Sequence, residues 1–461
     1  RISGSGEMKD WKYNDKCDWH GSQYTKIIDN VIIENGITNT GKDAFYGCSS
    51  LANIKIPSSV TSIDDEAFYE CSSLERIEIP SSVTSIGEDA FRGCSSLVNI
   101  EIPSSVTRIE RSVFYGCSSL VNIEIPSGVT SIGEDAFWYC SSIERIEIPS
   151  SVTSISEYAF YRCSSLVSIN VNENNTKYIS ESGVLFDKNK TMLMKYPCKK
   201  QGANEYSIPS SVTRIGAYAF DGCNSLENIE IPSSVTRIGA YAFYGCSSLE
   251  NIEIPSSVTS IGSRVFSGCS SLVNIEIPSG VKSISDWAFS GCSSLVNIEI
   301  PSSVISIEKY AFSGCSSLTS IKVNENNTKY MSESGVLFDK NKTKLIKYPC
   351  KKQDTNEYSI PSSVTSIGYG AFEGCSSLVN IEIPSSVISI GYRAFYECSR
   401  LIVYTKADSY GHQYAEENKI GYILDGIATE CTTEYEAKAE ESWDVSKNQD
   451  GSVIAKFTLS D

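Results

Sequence analysis

The sequence predicts a repeat solenoid, a single stack of near-identical coils. Variants of IEIPSSVTSIGEDAFRGCSSLVN recur every 23 residues through most of the 461-residue chain. The start of each unit alternates apolar and polar residues with period two, as a half-buried strand does. A coil this short cannot bury its own apolar side, so neighbouring coils must do it by stacking. The register is read at Leu51, Leu74, Leu97, Leu120, Ile143 and Leu166, then Leu226, Leu249, Leu272, Leu295 and Leu318, then Leu378 and Leu401. With a degenerate first unit at Ile28, this makes fourteen units. Both gaps in the register, Leu166 to Leu226 and Leu318 to Leu378, are 60 residues, which is 23 plus an excess of 37. The segment VNENNTKYISESGVLFDKNKT at 171–191 returns at 323–343 with one difference, Ile179 against Met331. A block of four plain repeats and one long one has therefore been duplicated.

Within the unit that starts at Leu97, apolar residues fall at Leu97, Ile100, Ile102, Val106, Ile109, Val113, Phe114 and Cys117. The alternating opening reads as a strand, which Pro103 ends because proline cannot donate to a ladder. Ser104 and Ser105 turn the chain. Val106 to Ile109 forms a second short extended piece, and the small-residue/Phe pair before Cys117 predicts one helical turn. Stacking puts Leu on Leu, Ile on Ile and Phe on Phe, with parallel strands about 4.8 Å apart.

The resulting pattern, L-x-x-I-x-I-P-x-x-V-x-x-I-x-x-x-A-F-x-x-C-x-x, spans roughly residues 27–424 and resembles the BspA-like (Treponema-type) leucine-rich repeat. G-V-L-F-D-K-N-K-T and K-Y-P, followed by Y-S-I-P, are similar to the irregular hairpin-bearing repeats of that family. The resemblance implies a leucine-rich repeat solenoid with a parallel β-sheet on its concave face. Short extended pieces and helical turns occupy the other faces, with hairpin insertions at 172–208 and 324–360 that project from the body. Residues 1–26, including Arg1–Trp11 and the Trp19 region, resemble the family's N-terminal cap. Residues 402–424 resemble its C-terminal cap, with Asp408 or Ser409 capping a short helix through Asn418 and a strand at Tyr422–Leu424. Residues 425–461 read as an acidic link, Glu434–Glu441, and a β-hairpin of Trp443–Ser446 with Val453–Leu459, where a further unit could begin. The family implies a cell-surface or secreted protein of a bacterium or protist, extracellular, with a role in adhesion. It transfers no catalytic residue.

Composition narrows the classes further. No apolar run approaches the roughly 18 residues of a membrane span. A net charge of −17 argues against nucleic acid, which needs a basic footprint. Only His20 and His412 are present, and no G-x-S-x-G, Walker loop or H-E-x-x-H occurs. An enzyme and a cofactor are therefore not expected. Thirteen of the 17 cysteines occupy one repeat position. A zinc site needs closely spaced pairs, so no metal is expected and the ladder reads as buried free thiols acting as small hydrophobes. Cys17, Cys198, Cys350 and Cys431 lie outside it, and their state is open.

Three surfaces offer candidate ligand-binding residues. Asn and Glu alternate with the buried isoleucines, and nine glutamates share one column, Glu253 and Glu276 among them. At the spacing of stacked strands these like charges repel. The residue after each Phe reads Tyr46, Tyr69, Arg92, Tyr115, Trp138 and Tyr161 in the first six units, an aromatic edge from which Tyr115, Trp138 and Tyr161 could anchor a partner. The long units carry six Lys against four acids and seven against five, each locally +2. Lys188, Lys190, Lys340 and Lys342 lie in their turns, where loops on a rigid scaffold tend to bind. The first reading is a monomeric adhesin for a protein or glycan on a host or neighbouring cell. A carbohydrate-binding module of a larger surface enzyme and a passive spacer follow it.

Overall fold

The computed structural model describes residues 1–11, 24–352 and 356–425, and two further strands, Trp443–Lys447 and Val453–Phe457, which pair antiparallel. Cys17, Trp19, His20, Cys431 and the acidic link lie outside the described residues. Each plain coil contributes two short strands. In one, Asn99–Ile100 lies parallel to Asn122–Ile123, and in the next ladder Arg108–Ile109 lies parallel to Ser131–Ile132, each residue opposite its equivalent 23 positions on. The exposed-buried alternation of these strands leaves Asn99 outside and Ile100 inside. Among the described residues no helix is long and apolar enough to cross a membrane.

The predicted helical turn before each cysteine is not helical. The residue two before the phenylalanine is left-handed in twelve coils, with φ between 53° and 58° at Asp43, Glu66, Asp89, Ser112, Asp135, Tyr218, Tyr241, Arg264, Trp287, Tyr310, Gly370 and Arg393. Such a conformation costs a non-glycine residue on the order of 1–2 kcal/mol. It breaks the helical run and turns alternate N–H groups toward the next coil. Asp89 N donates to Arg111 O, Phe91 N to Val113 O and Gly93 N to Tyr115 O, at 2.7–3.0 Å. The turn is thus a third intercoil ladder, and its bonds offset the local strain.

Hydroxyl groups run the opposite way. Thr84 Oγ1 donates to Thr61 O at 3.3 Å, Ser95 Oγ to Ser72 O at 3.5 Å and Ser82 Oγ to Val60 O at 2.6 Å. The recurring P-S-S-V-T and C-S-S segments are therefore bonded to the preceding coil, and they do more than reverse the chain.

The core is built of columns. Phe91, Phe114, Phe137 and Phe160 stack nearly parallel with centroids 5.6–5.9 Å apart. From Cys71 on, each free ladder thiol donates to the phenylalanine carbonyl one coil back, as Cys117 Sγ does to Phe91 O at 3.1 Å. Cysteine suits this position because it is small, apolar and carries one weak donor. Burial pushes the thiols upward, Cys163 to about 12. The ladder is free at Cys48, Cys71, Cys94, Cys117, Cys140, Cys163, Cys246, Cys269, Cys292, Cys315 and Cys398. Two members depart from the expected free state, because Cys223 pairs with Cys198 and Cys375 with Cys350. Among the described residues only the long units bring a second cysteine to the ladder, and there a disulfide closes.

The long units do not project. In each, three strands form an antiparallel meander, Tyr178–Glu181, Val184–Asp187 and Met192–Lys195, repeated at Tyr330–Glu333, Val336–Asp339 and Lys344–Lys347. The middle strand is a wall between two cores. Leu185 packs into the core of the preceding coils, while Val184 and Phe186 face the core that follows. Leu337 stands against Val336 and Phe338 in the same way. Gly183 makes this possible: at φ +81° its backbone lies so close to Ser168 that a Cβ would fall 2.9 Å from the serine Cβ. Asn175, fully buried, seals the preceding coil. Its amide donates to Pro149 O and Val152 O, while its oxygen accepts from Lys177 N and Tyr178 N, all at 2.8–2.9 Å. The Tyr178 hydroxyl accepts from Ile155 N at 2.8 Å and so ends the second-strand ladder.

At the N-terminal end, Ile2 and Gly6 bridge in parallel to Ile33 and Ile37. At the other, Ser409, and not Asp408, caps the helix Tyr410–Glu417, and the strand Gly421–Leu424 pairs with Ile402–Thr405.

Phe114→Ala should cost about 3–5 kcal/mol by emptying a stacked ring site. Glu124→Gln, on the acidic column, should be neutral or mildly stabilising. Thermal melting of the two variants checks both. Alkylation provides a second test. Of the described free thiols, native protein should label Cys398, the one not fully buried, while the other ten (eleven less one) label only after denaturation. Ready labelling of Cys117 without denaturant would contradict the buried ladder.

Candidate interaction surfaces

The flank beside the phenylalanine column carries a continuous stack of rings and guanidinium groups. Tyr46 stacks on Tyr69 at 4.5 Å. Arg92 lies between Tyr69 and Tyr115, 5.4 and 4.2 Å from their ring centroids. Tyr115 meets Trp138 at 5.5 Å, Trp138 meets Tyr161 at 4.3 Å, and Tyr161 meets Tyr218 at 4.2 Å. From there Tyr218 stacks on Tyr241, Arg264 lies over Tyr241 and Trp287, and Trp287 stacks on Tyr310. The residues belong to two columns. Up to Tyr161 the rings follow the phenylalanine, and from Tyr218 they stand two before it. Bulk moves from one column to the other across the first long unit, with the Tyr161–Tyr218 contact as the crossover.

This second column went unread in the sequence. Its signal was present: where the position after Phe becomes Ser267, Ser290 and Ser313, the position two before becomes Arg264, Trp287 and Tyr310. In these three coils the large side chain stands in one column, whereas Tyr241 with Tyr244 and Arg393 with Tyr396 fill both columns of their coils.

The candidate aromatic residues fare unequally. Tyr115 and Trp138 are half-buried. Tyr161 is only 7% exposed, enclosed by Trp138 and Tyr218, and burial pushes its phenol to about 12. It belongs to the packing of the flank and not to an exposed edge. The neighbouring Tyr139, 44% exposed, takes the outer position.

The candidate lysines hold their own turns. Lys188 Nζ donates to Asn175 O, and Lys340 Nζ to Asn327 O at 2.6 Å. Lys190 pairs with Glu181 at 3.0 Å and Lys342 with Glu333. Glu253 and Glu276 are exposed beside the strands Asn251–Ile252 and Asn274–Ile275. The acidic columns end on polar or basic neighbours: Glu147 accepts from Asn170 at 2.8 Å, and Glu299 lies opposite Lys322.

A buried charge cluster at each wall was also missed. Lys195 precedes Tyr196, whose ring stacks on Phe220 at 5.1 Å, so the lysine fills the place that alanine takes in most plain coils. Its Nζ donates to Tyr218 O at 3.2 Å. Asp221, also buried, has Arg162 Nε 3.8 Å away, and neither carboxylate oxygen accepts a hydrogen bond among the described residues. Burial lowers Lys195 and raises Asp221. The second wall repeats the theme with Lys347, whose Nζ donates to Gly370 O at 3.0 Å, and buried Glu373, which accepts from Ser313.

A parallel-strand solenoid with proline after the strand, an A-F-x-x-C turn and walled cores defines a leucine-rich repeat protein. The chain belongs to the BspA-type family: the family model described as "BspA type Leucine rich repeat region (6 copies)" matches residues 22–115, 88–187, 191–272, 236–353 and 343–412. Solved structures agree. A leucine-rich repeat protein from Eubacterium ventriosum is 30% identical over 86% of this chain and 89% of its own, with a TM-score of 0.56. A leucine-rich cell surface protein from Faecalibacterium prausnitzii is 35% identical over 64% of this chain and 88% of its own, with a TM-score of 0.58. No curated protein matches the chain.

The sign of the buried-charge effects follows from the shifts. Lys195, lowered below its usual 10.5, contributes stability above that value that is lost as pH falls through its folded pKa. Asp221, raised above 3.8, contributes stability below that value that is lost as pH rises through its folded pKa. The two groups act on each other through charge, Asp221 raising Lys195 and Lys195 lowering Asp221, each against the larger effect of burial. Lys195→Met alone should cost about 3–5 kcal/mol. Adding Asp221→Asn should recover most of that loss, as measured by urea unfolding.

Proposed function

We propose that this chain is a non-catalytic, cell-surface binding and adhesion protein whose partner docks on the ring-and-guanidinium flank. The partner is a protein or glycan on a host or neighbouring cell. The observation that carries this reading is where coils differ. Leu, Ile, Phe and Cys columns, hydroxyl ladders and the Asn/Glu face repeat with little change, whereas the flank varies from coil to coil in size and charge. A uniform face offers a ligand no position to prefer. Rigid aromatic groups of varied identity do, and they lose little entropy when covered. The solved relative described as a cell surface protein supports the location.

The glutamate columns serve a different role in this reading, attracting a basic partner and setting its approach rate. Of the sequence-derived candidates, Tyr115 and Trp138 remain as anchors, Tyr139 replaces Tyr161, and Lys188, Lys190, Lys340 and Lys342 support the walls.

Binding to arrays of extracellular-matrix proteins and of glycans tests the proposal. Trp138→Ala with Tyr139→Ala should weaken whichever interaction is found by about 1–2 kcal/mol. Glu253→Lys with Glu276→Lys should chiefly change its salt dependence. Binding abolished by the glutamate pair and untouched by the aromatic pair would place the partner on the Asn/Glu face.

A further inference from the structure

The most exposed rings of the flank are at its C-terminal end. On the last plain coil Tyr392 is 68% and Tyr396 46% exposed, and on the coil before it Tyr369 is 39% exposed. The same coil exposes Ile388 to 71%. Ile388, like Ile305 at 57% exposure, stands in the column where threonine in most coils donates to the preceding coil, and an isoleucine side chain there gains neither a hydrogen bond nor burial. From Tyr46 to Tyr310 most of the flank's rings lie against the ring or guanidinium of the next coil, with Tyr139 the exposed exception. Here the stack runs out, and Tyr392 and Tyr396 keep one face open to water.

Arg393 orders this patch. Its guanidinium lies 4.5 Å from the Tyr396 centroid and 5.7 Å from that of Tyr392, while Lys309 Nζ lies 4.6 Å from Tyr369. One cation thus contacts both exposed rings of the coil and limits their motion before any partner arrives. Arg393, on the rings, and Glu397, next to Tyr396 in the chain, are both exposed and supply donors and an acceptor there.

We infer that Tyr392, Tyr396 and Arg393, with Tyr369 beside them, bind a neutral pyranose glycan. A pyranose presents apolar C–H faces that stack on aromatic rings, and a belt of hydroxyls that pairs with guanidinium and carboxylate groups. Charge decides between partner classes. The chain carries −17 overall, so a basic protein is drawn to the glutamate columns, whereas here the cations Arg393 and Lys309 on the rings stand against Glu397 and Glu373. An uncharged, polyhydroxylated ligand is complementary to such a mixed patch. The site lies open on the flank, which suits a chain lying across it. This inference rests on the flank reading of the proposed function and gives it a ligand class.

The test is affinity electrophoresis of the whole chain in gels containing a neutral β-glucan, a mannan or a xylan. At least one should retard the protein, and Tyr392→Ala with Tyr396→Ala should weaken that retardation at least tenfold without changing the melting temperature. Tyr392→Phe should keep most of it, because the ring is retained. No retardation by any neutral glycan overturns the inference while leaving open a protein partner on the flank. Retardation lost in the Trp138/Tyr139 variant and kept in the Tyr392/Tyr396 variant also overturns it, and supports the flank reading at the other end. Retardation kept in both variants overturns the two together.

Discussion

Every coil of this protein is incomplete until a neighbour is added. Its strands pair with the coils on either side, its hydroxyls donate backward, as Thr84 does to Thr61, and the N–H groups of its turn donate forward, as Phe91 does to Val113. Its apolar side meets only its equivalents above and below. A residue inserted or lost within a coil would misalign all of these ladders at once, because each depends on the same residue facing its counterpart. That constraint accounts for the strictness of the 23-residue period. It also accounts for the left-handed residues, whose local strain is accepted because it frees N–H groups for the next coil.

The same constraint explains what is irregular. A stack of this length is interrupted only where a structure can satisfy both of the coils it separates. The two long units do so with a strand buried on both sides, a tyrosine hydroxyl that takes the last strand N–H, and an asparagine amide that takes two carbonyls. They also carry the two disulfides and the two buried lysines. Three cores result, joined through walls. The walls are the least repetitive and most polar parts of the interior, so single substitutions there should matter more than in the plain coils.

Much of this was legible in the sequence. The Leu, Ile, Phe and Cys columns follow from spacing alone, because identical residues 23 apart must coincide in a stack. What was missed depends on three-dimensional direction. Val184, Leu185 and Phe186 form an unbroken apolar run, the mark of a strand buried on both faces, yet the turn Asp187–Lys190 suggested a projecting hairpin. Tyr161 looked like its neighbours along the chain, and the Tyr218 contact, across a long unit, completes its enclosure beside Trp138. Lys195 was counted with surface lysines, although its place before Tyr196 corresponds to that of the buried alanines. No pattern along the chain distinguishes Cys198 as the partner of Cys223.

The flank is where the fold leaves freedom, since bulky groups can stand in either or both of two columns without disturbing the ladders. That freedom allows a monotonous scaffold to carry a specific surface. The claim that the long units are internal walls is the one from which the three cores and the buried charges follow. Segment-resolved hydrogen exchange tests it most directly. Peptides covering 184–196 and 336–348 should exchange as slowly as plain coils such as 97–120. Complete exchange of those segments within seconds, with the plain coils still protected, would mean projecting hairpins and contradict the account.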